Sequence, residues 1–193
     1  MRTIIANATL SLDGCTAGGD PSDMSWLLAH ALDERGRATF AGVYAGATTA
    51  LLGRRNFEGF QGYWPPVADD PAAHPRDRAY ARWQNAVEKV VFSRTLTAVE
   101  APNARLATRG LVEEVAALRE GDGGDVLVLS SSSIIRGLLE ADLLDELHLQ
   151  VAPVVLGGGL RFWPEGGTRR DWEFAGVTVL PSGALYQAHR RVR

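Results

Sequence analysis

Val126-Leu127-Val128-Leu129 is the segment that most narrows the folds open to this chain. It follows a run of glycines and aspartates, Gly121 to Asp125, and leads straight into four serines, Ser130 to Ser133. An apolar run this short, with no polar alternation, is the pattern of a strand covered on both faces. Such a strand needs helical layers above and below a sheet that is at least partly parallel. The neighbouring segments supply them. Leu111, Val112, Val115 and Leu118 form one helical stripe before the glycines, and Ile134, Ile135, Leu138 and Leu139 form another after the serines.

The same strand, turn and helix order recurs along the chain. Arg2 to Asp13 alternates, with Ile4, Ala6, Ala8, Leu10 and Leu12 on one face and Thr3, Ile5, Asn7, Thr9 and Ser11 on the other. After Asp13-Gly14 comes a Gly-rich loop, and Ser22 and Asp23 are N-cap candidates for a helix. The spacing predicts a second helix from Asp33 to Ala45. Thr49 to Leu52 reads as a strand that ends in Gly53-Arg54-Arg55-Asn56 before a helical Phe57 to Phe60. Gly62 to Pro75, rich in Pro, Asp and Ala, reads as a long surface loop and a candidate lid or substrate rim. A polar helix from Arg76 to Ala86 precedes the strand Lys89 to Phe92, which Ser93-Arg94 closes, and a short strand is expected near Asn103 to Ala107. Glu146 to Leu156 reads as a long strand broken by Gly157-Gly158-Gly159. Trp172 to Leu180 and Ala184 to Val192 flank the hairpin signal Pro181-Ser182-Gly183. These elements predict one α/β domain over residues 1–193, a three-layer α/β/α arrangement with a mixed, mostly parallel sheet and a C-terminal antiparallel hairpin.

Composition excludes several function classes. A net charge of −3 and a pI near 5.8 give no positive field for nucleic acid or an anionic membrane surface. One cysteine, Cys15, excludes an internal disulfide and a zinc site built from cysteine pairs, and fits a reducing, cytoplasmic setting. His30, His74, His148 and His189 show no metal-ligand spacing, so no metal site is expected. No apolar run approaches the roughly 18 residues that span a bilayer. A phosphate-binding Walker loop and a Gly-x-Ser-x-Gly nucleophile elbow are both absent.

The chemistry concentrates at turns. Gly53 to Asn56 and Ser130 to Ser133 each place small or cationic residues between a strand end and a helix start, where unpaired backbone N–H groups meet an anion. Ser93-Arg94 adds a hydroxyl and a guanidinium after a third strand. Taken singly, these are caps and solvated cations. Three at consecutive strand ends favour a phosphate-bearing nucleotide. Gly157-Gly158-Gly159 is either a flexible turn or a place where backbone approaches a ligand closely. Asp13 is either half of an Asp-Gly turn or a functional carboxylate. Trp26 and Trp64 are candidates to line a pocket for a flat ring, or simply buried bulk.

In order, Ser11-Leu12-Asp13-Gly14, Leu52-Gly53-Arg54-Arg55-Asn56-Phe57-Glu58, Val91-Phe92-Ser93-Arg94, Ser132-Ser133-Ile134-Ile135, Asp145-Glu146-Leu147 and Pro153-Val154-Val155-Leu156-Gly157-Gly158-Gly159 span nearly the whole chain. Together they resemble the dihydrofolate-reductase-like superfamily. Within it the chain looks most like the reductase domain of bifunctional riboflavin-biosynthesis proteins and their stand-alone relatives. The resemblance implies NADPH bound across the strand ends. Gly53, Arg54 and Arg55 would hold phosphates, Ser93 and Arg94 would approach the 2′-phosphate, and Ser131, Ser132, Ser133 and Ile134 would cradle the pyrophosphate, with Ala8 and Gly158 also on the cofactor. Family members often have glycine where this chain has Ser131 and Ser132. The resemblance further implies hydride transfer near Asp13, with Thr9, Met24 and Trp26 bordering a pterin- or aminopyrimidine-like substrate, and a homodimer. Divergent dihydrofolate reduction, for which the family's pterin-binding carboxylate would fall at Ala31, with Asp33 or Glu34 nearby but out of step, and a non-catalytic heterocycle-binding protein are the competing expectations. The zinc deaminase half of the bifunctional enzymes has no counterpart in this chain.

Overall fold

The computed structural model describes residues 1–31, 33–163 and 165–192. Among the described residues ten strands and six helices follow one another. The first half runs β1 (Ile4–Leu10), β2 (Cys15–Ala17), α1 (Ser25–Ala31), α2 (Glu34–Tyr44), β3 (Ala47–Gly53), α3 (Arg54–Val67) and α4 (Pro75–Ala86). The second half runs β4 (Glu88–Phe92), β5 (Ala104–Leu106), α5 (Leu111–Glu120), β6 (Asp125–Leu129), α6 (Ser132–Glu140), β7 (Glu146–Val151), β8 (Leu160–Arg161), β9 (Trp172–Val179) and β10 (Leu185–Arg191). Eight strands make one sheet in the order β5-β4-β3-β6-β1-β7-β10-β9. All neighbours are parallel as far as β7, and the hairpin β9–β10 is antiparallel to it.

The apolar run in β6 is placed as its composition demands. Val126 and Val128 face α5 and α6, where they meet Val115, Ile135 and Leu138, while Leu127 and Leu129 face the layer of α2, α3 and α4. Strand β1 shows the two faces separately. Ile4, Ala6, Ala8 and Leu10 are buried toward α6, and the opposite face carries Asn7 and Thr9, both half-buried. That polar-tinged face is where a ligand can be met without breaking the core.

Two expectations are corrected. Gly62 to Pro75 is no long loop, because α3 continues to Val67 through Pro65 and Pro66. The two prolines lack only the N–H groups of the last turn, while Phe57, Phe60 and Trp64 hold an apolar stripe against the sheet and α4. Trp64 is thereby built into an aromatic cluster, its ring 4.6 Å from that of Tyr80, which fits the buried-bulk alternative. The strand from Glu146 stops at Val151, ahead of Pro153, although Ala152 N–H still donates to Leu10 O and Leu12 N–H to Val154 O. Strands β2 and β8, of three and two residues, are too short to leave a periodic signal.

At the N-terminal edge of the sheet the charges pair with one another. Arg2 Nη2 donates to Thr49 Oγ1, which donates to Glu88 Oε2, and Arg105 bridges Glu88 Oε1 at 3.0 Å and Glu114 Oε1 at 2.7 Å. A cavity of about 450 Å³ lined by Thr48, Glu88, Asn103 and Arg105 lies beside this network, at the end of the sheet away from the ligand-type turns. Lys89, the only lysine among 20 basic residues, is buried on the opposite face of β4. Its Nζ donates to the carbonyls of Val87 and Pro102 at 3.1 and 3.2 Å, and burial lowers its pKa.

Candidate active site

Strand register sets the site. Gly53 is level with Phe92, Leu51 with Val128, and Asn7 with Leu129, so the residues that follow β4, β3 and β6 emerge side by side along one C-terminal edge. Adjacent strands lie about 4.8 Å apart. The three turns singled out in the sequence are therefore neighbours: Ser93-Arg94, then Gly53-Arg54-Arg55, then Ser130 to Ser133. Strand β1 continues one to three residues past its last pairing with β6, which brings Ala8 and Thr9 beside the serine turn.

The cations on this edge differ in availability. Arg54 is exposed and reaches Glu58 at 3.5 Å along its own helix. Arg55 and Arg94 are exposed and have no hydrogen bond or ion pair among the described residues. Two unpaired guanidiniums on neighbouring strand ends are a fit for a phosphate-bearing nucleotide. Ser93 serves its own turn, its Oγ accepting from the N–H groups of Thr95 and Leu96 at 3.1 and 2.9 Å.

The serine turn is cross-linked to its surroundings. Ser130 sits at φ 47°, and Ser131 caps α6 without a side-chain bond to the helix. Instead Ser131 Oγ accepts from Gly53 N–H at 2.9 Å and donates to Leu129 O at 3.0 Å. Ser132 Oγ donates to Thr16 Oγ1 at 3.0 Å. Both serines are buried, whereas Ser133 is exposed and Ile134 is packed into the core, leaving only its backbone to a ligand. Where glycines would let a ligand approach the backbone, these hydroxyls tie β3, β6 and β2 together. Thr16 left no sequence signal, since its partner is 116 residues away.

The strand pair β2–β8 forms a flap beside this turn. Its base is Asp13. One carboxylate oxygen accepts from Ser11 Oγ at 2.6 Å and Leu156 N–H at 3.1 Å, and the other from Gly157 N–H at 2.9 Å. The Ser11 hydroxyl first, then the Leu156 amide, lower its pKa to about 2. Asp13, expected as the catalytic carboxylate, is thus engaged through both oxygens in holding the 156–157 loop. A cavity of about 290 Å³ lined by Asp13, Gly14, Arg161, Trp163 and Glu165 opens on the flap's flank. Gly158 is exposed with open space around it, while Gly159 lies against Ala17. The close approach anticipated for the glycine run is made by Gly159, to protein backbone. Because the Asp13 pKa is depressed below its unfolded value, these bonds contribute fully above about pH 4 and are lost as pH falls through about 2. Amide protection at Leu156 and Gly157 is expected to drop over that window, and Asp13→Asn should show a partial loss already at pH 7. Unchanged exchange in the variant would assign the order of the loop to other contacts.

On the far side of β1, helix α1 leans on β7, where Gln150 Nε2 donates to His30 O at 2.9 Å. Gln150 is level with Thr9. Met24, just before α1, is 45% exposed, while Trp26 is only 9% exposed and its buried indole N–H has no partner among the described residues. Asp33 caps α2, its Oδ1 accepting from Gly36 N–H at 2.9 Å. Nothing in the sequence had marked Gln150 or His30.

Among the described residues no group of three or more His, Cys, Asp and Glu is placed to hold a metal ion, and no helix is long and apolar enough to cross a membrane.

Comparisons with known proteins follow the fold. The chain is 26% identical over 186 residues to the uncharacterized protein YyaP of Bacillus subtilis, covering 95% of this chain and 92% of that one. Its structure is similar to that of a proposed riboflavin biosynthesis protein of Shewanella sp. PV-4, with a TM-score of 0.76 at 20% identity over 99% of both chains. A pyrimidine reductase-like protein of Corynebacterium diphtheriae matches with a TM-score of 0.68 at 13% identity, over 100% of this chain and 92% of that one. The diaminohydroxyphosphoribosylaminopyrimidine deaminase/5-amino-6-(5-phosphoribosylamino)uracil reductase of Thermotoga maritima matches with a TM-score of 0.64 at 16% identity, over 99% of this chain and 57% of that one. The model of the RibD C-terminal domain matches residues 2–186, and the chain belongs to that family.

Proposed function

We propose that this protein is a nicotinamide-nucleotide-dependent reductase acting on a small, flat, nitrogen-rich ring of the aminopyrimidine or pterin type. The observation that carries the reading is the pair of unpartnered guanidiniums, Arg55 and Arg94, on adjacent strand ends beside the start of α6. Family membership supports it, as does the reductase activity in the description of the Thermotoga maritima protein.

The chain's own residues take the following roles. Arg55 and Arg94 hold phosphate groups, with Arg94 favouring NADPH over NADH through the 2′-phosphate. The free N–H groups in the first turn of α6 receive the pyrophosphate. Ala8 and Thr9 present main chain and hydroxyl to the ring region, and α1 with Trp26 closes the opposite side. A bound NADPH supplies the hydride, and the protein supplies orientation and electrostatics. A second reading, heterocycle binding without catalysis, has one observation in its favour: Ser131 already occupies the Gly53 N–H.

Parallel calorimetric titrations with NADPH and NADH separate the two. Binding of NADPH about tenfold or more tighter than NADH supports the reductase and justifies a substrate screen. Heat from neither nucleotide would leave the binding protein as the better account.

A further inference from the structure

Five residues, Asp13, Gly14, Arg161, Trp163 and Glu165, line the cavity of about 290 Å³ on the flank of the β2–β8 flap. Neither Arg55 nor Arg94 is among them, and what the cavity holds does not depend on the reductase reading. A space of this size takes one ring system and not a whole dinucleotide.

One wall is in place before any ligand arrives. Trp163 is 46% exposed, yet its indole is braced from two sides. The ring of Phe162 meets it edge to face with centroids 4.7 Å apart, and Gly14 gives it room, since a Cβ there would lie 3.4 Å from the indole Cδ1. Phe162 is itself fully buried, and its N–H donates to Gly14 O at 2.9 Å. An indole that stays half in water while braced in this way is a stacking surface with little ordering left to cost.

Phe162 is packed into the core, which leaves Arg161 and Trp163 together on the outward side, where both line the cavity. Side chains on either side of an inward-pointing residue stand about 6–7 Å apart, and a flat ring in contact on both faces needs about 3.5 Å on each. A guanidinium plane and an indole at that spacing accept one aromatic ring between them. The edge of such a ring meets acceptors. Glu165 is exposed, and neither it nor Arg161 has a side-chain hydrogen bond or ion pair among the described residues. Asp13 is ionised, its pKa lowered to about 2 by the Ser11 hydroxyl first, and its Oδ2 accepts from Gly157 N–H alone, which leaves that oxygen one lone pair. Two carboxylates against one guanidinium make the lining net negative, so it favours N–H donors and disfavours a phosphate or carboxylate on the ligand.

We propose that this cavity is a second binding site, for a flat, amino-bearing aromatic ring without negative charge, stacked between Trp163 and Arg161 with its amino group donating to Glu165 and Asp13. The ring bridges the Asp13-Gly14 turn and the 161–165 segment, so its binding clamps the flap. Exchange of the Phe162 amide, which is bonded to Gly14 O, slows accordingly.

The test uses the whole chain with its five tryptophans ¹⁵N-labelled at the indole and adenosine as probe, in the presence of saturating NADPH. The Trp163 indole signal, assigned by its loss in Trp163→Phe, is expected to move and that of Trp26 to stay. Inosine, which differs from adenosine by an oxo group in place of the amino group, should bind about tenfold more weakly, and AMP no more tightly than adenosine. Trp163→Ala should weaken adenosine about tenfold, and Arg161→Ala, at an exposed position with no partner to lose among the described residues, should also weaken it. Glu165→Gln should bring adenosine and inosine within about threefold of each other. An unmoved Trp163 signal at millimolar adenosine, equal binding of adenosine and inosine by wild type, or wild-type affinity in Arg161→Ala would each overturn the site. Tighter binding of AMP that is lost in the Arg55→Ala, Arg94→Ala double variant would overturn it too, by placing the probe at the strand ends. Failure of the chain to bind either nicotinamide nucleotide would strike only the reductase reading, since adenosine alone still reads this cavity.

Discussion

Replacing Arg55 and Arg94 together by alanine is expected to weaken NADPH binding by about 100-fold or more. A hydrogen bond to a charged group contributes about 1.5–3 kcal/mol, and each 1.4 kcal/mol is about tenfold in affinity. Both side chains are exposed and have no partner among the described residues, so their removal breaks no described hydrogen bond or ion pair and should leave the melting temperature within about 1 °C of wild type. The single variants divide the effect. Arg94→Ala should abolish the preference for NADPH over NADH while sparing NADH, whereas Arg55→Ala should weaken both nucleotides. Arg54→Ala should do little, because that guanidinium is engaged with Glu58. Calorimetry on the four variants beside wild type measures all of this, and a double variant that binds NADPH within threefold of wild type would remove the phosphate site from this edge.

The second large effect is expected at Gly159. Its φ of +117° lies where side chains rarely go, and a Cβ there would sit 2.1 Å from the carbonyl oxygen of Ala17 and 2.6 Å from Gly18 C. These are backbone atoms, so the obstruction cannot be relieved by a rotamer change. Gly159→Ala must part β8 from β2. The two strands carry Cys15 and lead to Phe162, both fully buried, and Phe162 N–H donates to Gly14 O at 2.9 Å. Strain at such a position contributes about 1–3 kcal/mol, and loosening Phe162 adds a core term of similar size. At roughly 2–4 °C per kcal/mol for a chain of this length, the melting temperature should fall by about 5–15 °C. A variant melting within 1 °C of wild type would mean that the flap yields freely and takes no part in the core.

How far the sequence carried differed from element to element, for physical reasons. Val126 to Leu129 announced a doubly covered strand because burial on both faces leaves no room for polar alternation. The helices around Val115 and Leu138 were legible because one stripe of each meets the sheet. Ends were harder. Pro65 and Pro66 looked like a break, yet the stripe of Phe57, Phe60 and Trp64 carries α3 through them. Strands β2 and β8 were invisible, since a three-residue strand held by a partner more than 140 residues away has no period of its own. At the site, the turns with Arg55, Arg94 and the serines could be read because strand ends in α/β sheets collect such residues. What those side chains touch could not. Asp13 looked free in sequence and is held by two amides of a distant loop, and nothing marked Gln150, whose amide reaches the His30 carbonyl 120 residues away.

The burial of Lys89 has a practical corollary for handling the protein. With its only lysine 1% exposed, the folded chain presents acylating reagents with no side-chain amine, although it carries 20 basic residues. Lysine-directed dyes, cross-linkers and resin couplings should therefore bypass its body. Acylation at Lys89 requires the Val87 and Pro102 carbonyls to release the ammonium, so its rate reports how often the junction of β4 and β5 opens. Mass spectrometry of one tryptic peptide then reads a local opening free energy without any engineered label.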